Sequence, residues 1–154
     1  MSKTKRTPAG EALTGLILDL FRANSLLLTA GDRLVTSLGL TSARWQILGA
    51  IADAERPEPV AWLARNLGAN RQNVQRIVND LERDGLVVFG VNPHHRRAQL
   101  VVLTEKGRQI YDAASRLQVP WVNGLSDGLS VKEVEIAHWV LNALRDRLEG
   151  TGED

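Results

Sequence analysis

With 154 residues and 44% hydrophobic content, the chain suffices for one domain that buries about 70% of the surface its unfolded form exposes. The absence of cysteine excludes disulfides, thiolate metal sites and sensing by thiol oxidation. The net charge of +1 is unevenly spread: residues 62–111 carry eight cations against four acids, whereas residues 131–154 carry three against six. Two ends of opposite character imply surfaces with different partners.

Lys3, Lys5 and Arg6 have no apolar run behind them of the kind a secretory signal needs. Asp19, Arg22 and Asn24 interrupt the most hydrophobic segment short of a membrane span, so a cytoplasmic protein is expected. A long helix is predicted over residues 9–38, where Leu13, Leu16, Ile17, Leu20, Phe21, Leu27, Leu28, Leu34, Val35 and Leu38 recur at three- and four-residue steps before Gly39. Thr41 can cap a second helix with Trp45, Leu48 and Ile51 on its apolar face, broken by Glu55-Arg56-Pro57-Glu58-Pro59. A short third helix points Val60, Leu63, Ala64 and Leu67 inward and stops at Gly68. Asn70 then caps a fourth, in which Val74, Ile77, Val78 and Leu81 repeat at i, i+3, i+4 and i+7.

Beyond Gly85, residues 86–91 and 98–103 are rich in Val and Leu around the turn Asn92-Pro93-His94-His95-Arg96-Arg97, which predicts a β-hairpin. Thr104 can cap a fifth helix toward Asn123 that Pro120 should kink or end. Ser130 and Glu133 form a capping box for a last helix with the stripe Val134, Ala137, Leu141, Leu144 and Leu148. Ile136, Trp139 and Val140 give that helix a second apolar side. A helix apolar on more than one side is buried on more than one side, so the terminal helices are expected to interlock with those of a second copy, the alternative being that they complete the monomer core.

The order of a polar-faced helix followed by a basic hairpin is that of a recognition helix and wing. Opposite its apolar stripe the fourth helix presents Arg71, Gln72, Asn73, Gln75, Arg76 and Asn79, after the cap Asn70, and acids appear only from Asp80 onward. Arg pairs bidentately with guanine, and Asn and Gln with adenine, each good pair giving about 1–3 kcal/mol of discrimination. An ordinary solvated face would instead favour Glu and Lys in helix-stabilising pairs. At the hairpin tip, Arg96 and Arg97 can enter a minor groove or clamp phosphate. His94 and His95 are expected to hydrogen-bond phosphate or cap the turn; neighbours on extended chain point apart and few acids lie nearby, so no metal is expected. His138 is expected to be a core or interface histidine. No nucleophile, base and orienter, phosphate-cradling loop or metal set has a recognisable spacing, so neither an enzyme nor a cofactor is expected.

The runs Leu40-Thr41-Ser42-Ala43-Arg44-Trp45-Gln46-Ile47-Leu48, Leu63-Ala64-Arg65-Asn66-Leu67-Gly68, Arg71-Gln72-Asn73-Val74-Gln75-Arg76-Ile77-Val78 and Gly85-Leu86-Val87 together resemble the MarR family of bacterial transcriptional regulators. The family's wing pattern, Asp-x-Arg then Leu-Thr-x-x-Gly, is matched at Arg97, Leu103, Thr104 and Gly107, with His95 in the Asp position. The resemblance implies a mainly α fold with a small β-hairpin wing, a single domain over residues 1–154. A winged helix-turn-helix lobe spans about residues 41–103, and dimerisation helices span about residues 9–38 and 104–149. It further implies a homodimer on a pseudo-palindromic DNA operator, acting as a repressor relieved by a small aromatic or phenolic ligand. A neutral His95 cannot hold Arg97 by an ion pair as the family's Asp does, which leaves Arg97 less fixed or makes wing binding depend on pH near about 6–7.

The second helix resembles the family's pocket region, where Arg44 could pair with a carboxylate and Trp45 stack on a ring, with Trp121 as a further wall. The other reading has Trp45 in the core and Arg44 on the surface or against the DNA backbone. A competing function keeps the fold but acts through protein–protein contacts or nonspecific architectural DNA binding.

Overall fold

A computed structural model describes residues 5–150. Lys3 of the basic N-terminal segment, and Glu153 and Asp154 of the acidic C-terminal one, lie outside them. Six helices run in the order α1 (Pro8–Val35), α2 (Ser42–Asp53), α3 (Val60–Leu67), α4 (Arg71–Arg83), α5 (Glu105–Leu125) and α6 (Val131–Gly150). Three short strands, β1 (Glu58–Pro59), β2 (Val87–Gly90) and β3 (Leu100–Leu103), form an antiparallel sheet in the order β1-β3-β2. The hairpin register pairs Val87 with Leu103 and Gly90 with Leu100. This is the mainly helical winged-helix architecture expected.

The predicted helix boundaries rest on local chemistry that the structure contains. Thr7 caps α1, accepting the Gly10 N–H at 3.0 Å. The helix tightens into a 3₁₀ turn at Thr36–Leu38 and stops at Gly39, whose φ of 71° is left-handed. Thr41 accepts the Arg44 N–H at 3.2 Å, and Thr104 the Gly107 N–H at 3.0 Å. The Ser130–Glu133 box is closed in both directions, at 2.8 and 3.2 Å, and the Ser130 bonds hold the Glu133 carboxyl below its ordinary pKa. Pro120 does not end α5, which runs on to Leu125. One missing N–H leaves one carbonyl unpartnered, while the donors that follow still reach back four residues.

By their contacts the residues fall into two compact units, one up to Leu117 and one from Gln118. The first holds one core: Val35 of α1; Ile47, Leu48 and Ile51 of α2; Val60, Leu63 and Ala64 of α3; Val74, Val78 and Leu81 of α4; Val87 and Val101 of the hairpin; and Ala114 of α5. Trp45 and Ile77 are partly buried against it. Gly107 is required at the start of α5, because a Cβ there would stand 2.0 Å from the Leu86 carbonyl oxygen. β1, which a purely local reading takes as a break, pairs with β3 at Glu58–Val101 and Pro59–Leu100.

The terminal helices differ. Only Gly31 and Val35 of α1 are buried, and no residue of α6 is. Leu18, Phe21 and Leu26 of α1 and Ile136 and Trp139 of α6 are more than half exposed. Through its 3₁₀ turn, α1 is long and apolar enough to cross a membrane by length and composition, which corrects the expectation that Asp19, Arg22 and Asn24 cut it short. The helix continues through them, and the leucines on either side outweigh them. Asp19 and Arg22 lie 3.7 Å apart on its exposed surface, and such a pair is costly inside a bilayer.

Candidate nucleic-acid interface

The fourth helix separates its two sides sharply. Val74, Val78 and Leu81 are buried with at most 1% of their surface exposed, so α4 is held to the core along one stripe. Asn70 spends its side chain on the helix start, its Oδ1 accepting the N–H groups of Gln72 at 2.9 Å and Asn73 at 3.2 Å. It is a cap before it is a base contact. Arg71, Gln72, Asn73 and Arg76 stand exposed on the opposite side. Gln75 donates to Asn79 at 2.9 Å, four residues on, which orders two amides on the same face.

The far end of α4 is anchored by charge. Arg44 donates through Nη1 to the Gly39 carbonyl at 2.8 Å and through Nη2 to the Asp84 carboxylate. Its Nε is buried without a partner among the described residues. Lys106 donates to the Asp84 carbonyl at 2.9 Å. The hydrogen bond from Arg44, then its charge, holds the Asp84 carboxyl below its ordinary pKa against desolvation, with Lys106 and Arg83 adding to the effect. Arg44 therefore joins the α1–α2 turn to the C-cap of α4. The guanidinium that the sequence offers to a ligand carboxylate pairs here with a carboxylate of the chain. Trp45 packs on the core, and Trp121 is partly buried on the part of α5 that belongs to the second unit.

The wing is built on a residue whose role the sequence does not disclose. Asn92, only 7% exposed, donates from Nδ2 to the Ala98 carbonyl at 2.9 Å and accepts the His94 N–H on Oδ1 at 3.0 Å, closing the loop at its root. The Asn-Pro pair was the available signal, since Asn side chains hydrogen-bond their own backbone two residues on. His95 closes the turn, its carbonyl and its Nδ1 both accepting the Ala98 N–H, at 3.1 and 3.2 Å. His94 and Arg96 are exposed at the tip. Arg97 makes no ion pair among the described residues; it lines a groove of about 190 Å³ with Arg71, Gln75, Asn79 and Gln99. Wing and recognition helix thus meet around a shared polar groove. Gln99 was missed by sequence reasoning, although it lies two residues from Arg97 along the same rim.

A family model described as MarR family matches residues 38–98, from the end of the 3₁₀ turn to the wing. The chain is 38% identical to the uncharacterized protein Rv2011c of Mycobacterium tuberculosis over 119 residues, which is 77% of this chain and 82% of that one. It is 32% identical over 114 residues to the transcriptional activatory protein BadR of Rhodopseudomonas palustris, covering 71% of this chain and 63% of that one. The crystal structure of Sco5413, a MarR family transcriptional regulator from Streptomyces coelicolor, superposes with a TM-score of 0.76 at 26% identity, over 93% of this chain and 99% of that one.

Proposed function

The chain belongs to the MarR family of DNA-binding transcriptional regulators, which are not enzymes, and from that premise we propose that it is a cytoplasmic homodimer that represses transcription by occupying a pseudo-palindromic operator until a small ligand releases it. The observation that carries the DNA reading is the exposed Arg71, Gln72, Asn73 and Arg76 face of α4 beside a groove that also holds Arg97 of the wing. In this reading the first two turns of α4 enter the major groove, and Arg96 and Arg97 meet the flanking backbone or minor groove. The acids stay behind at Asp80 and Asp84, where Arg83 and Arg44 pair with them.

The dimer is supported by the terminal helices, whose exposed apolar side chains match what a second copy would cover. The winged lobe at residues 41–103 and the flanking dimerisation helices are then two functional parts of one protomer. BadR, a relative described as an activator, supplies the second reading, in which the same dimer recruits rather than blocks.

Fluorescence anisotropy on DNA from immediately upstream of the gene, with a scrambled duplex as control and a salt series on both, tests this. Tight binding to the upstream fragment alone, with a shallower salt slope than the control, is expected of a sequence-specific regulator. Equal and steeply salt-dependent binding to both would favour an architectural protein. Transcription from that fragment in vitro then separates repression from activation.

A further inference from the structure

A second groove, of about 570 Å³, shares Pro59 with the DNA-facing one and lies between β1, the first turn of α3 and the root of the wing. Its walls include Pro57, Pro59, Trp62 and Pro93, with Arg56 and His94 on them. The volume falls in the range of small-molecule sites, roughly 300–1,000 Å³. Trp62 is 53% exposed, an unusual cost for so large an aromatic on an α3 that otherwise buries Val60 and Leu63. The Arg65 guanidinium lies 5.0 Å from its ring centroid and fixes the indole from one side.

Arg56 makes no hydrogen bond or ion pair among the described residues. Glu58, the acid beside it, is held by Asn66, whose Nδ2 donates to its carboxylate at 3.0 Å. The wing root is fixed by Asn92, and β1 by its pairing with β3, so the walls are preformed.

We propose that this groove binds a small planar organic anion, an aromatic carboxylate of one or two rings, with Arg56 taking the carboxylate and Trp62 and the prolines taking the ring. A carboxylate is the group a free guanidinium pairs with in fork geometry, and flat apolar walls suit a ring rather than a polyhydroxyl ligand. The assignment gives a location to the ligand of the proposed function and rests on that reading. A ligand here touches the wing root and α3 together, without covering Arg71 or Arg76 of α4.

The test uses the full chain, whose four tryptophans give four indole N–H resonances. Trp62→Phe assigns one of them, and sodium 2-naphthoate is titrated against the neutral 2-naphthalenemethanol. The expected result is a saturable shift of the Trp62 resonance with a Kd below about 1 mM, weakened about tenfold or more by Arg56→Ala and not reproduced by the neutral compound. No shift at Trp62, equal binding by Arg56→Ala, or a saturable shift confined to Trp45, Trp121 or Trp139 would overturn the site. Operator anisotropy on the same samples separates the two ideas. Sequence-specific DNA binding without a Trp62 shift would sink the site and leave the regulator; a Trp62 shift without sequence-specific binding would do the reverse.

Discussion

The winged lobe and the terminal helices both carry recurring apolar residues, with opposite fates. In α4 the stripe Val74, Val78 and Leu81 is consumed by the chain's own core, and what is left outside is polar. In α6 apolar residues recur on two sides, yet no residue is buried, and Ile136 and Trp139 stay 55% and 70% exposed. A helical repeat of apolar residues therefore tells that a face is to be covered, without telling by which chain. In the proposed function the lobe carries its specificity on the side left over from folding, and the terminal helices carry assembly on theirs.

The comparison can be broken most severely at α6. Ile136→Glu with Trp139→Glu should halve the mass in solution by light scattering and lower operator affinity by about 100-fold or more, through loss of the second DNA-binding lobe. Unchanged mass would mean that this surface is not the dimer contact. Within the lobe, Leu81→Ala should cost about 2–5 kcal/mol in urea unfolding, because the residue is fully buried. Leu26→Ala, at a position 71% exposed, should cost less than about 0.5 kcal/mol when measured in the monomeric variant.

Two positions sharpen the division inside the part proposed to face DNA. Arg76→Ala should remove about 1–3 kcal/mol of discrimination between operator and altered sites. Arg96→Ala should weaken binding to all sequences alike and reduce the salt slope by about 1. Competition assays on a set of single-base operator variants would tell the two patterns apart.

The smallest effects are those of pH and salt. The folded pKa of Asp84 is depressed, so its contribution to stability is present above the ordinary carboxylate range and is lost as pH falls through the lowered value. Asp84→Asn should therefore be less stable than wild type at neutral pH, with the two converging on acidification below about pH 4. A constant difference between the two unfolding curves across that window would dissociate Asp84 from the anchor at the end of α4. At the wing, His95→Asp keeps an acceptor for the Ala98 N–H and sets a carboxylate two residues from Arg97, so the salt-titration curves of DNA binding by wild type and variant should differ. Superimposable curves would make the wing indifferent to the identity of residue 95.

What could be read in the sequence was what neighbouring residues decide among themselves. The caps at Thr41, Asn70 and Thr104, the Ser130–Glu133 box and the α4 stripe all depend on partners within a few positions. The pairings that escaped it are long-range. β1 owes its existence to β3 some forty residues on, and Arg44 owes its role to Asp84, at a sequence separation of 40. The exposed polar face of α4 was legible because it is a remainder, the other side of a helix whose apolar stripe is plainly core. The Arg44–Asp84 pair was not legible because an arginine near an expected pocket looks the same in sequence whether its carboxylate belongs to a ligand or to the chain.

Hydroxyl-radical footprinting on the upstream fragment selected by anisotropy tests the central claim most directly, because it registers the DNA-facing lobe and the second copy at once. The account predicts two protected patches related by symmetry, centred one helical turn or a multiple of about 10–10.5 base pairs apart, each flanked by weaker protection from the wing. A single protected patch, or uniform protection along the fragment, would contradict it.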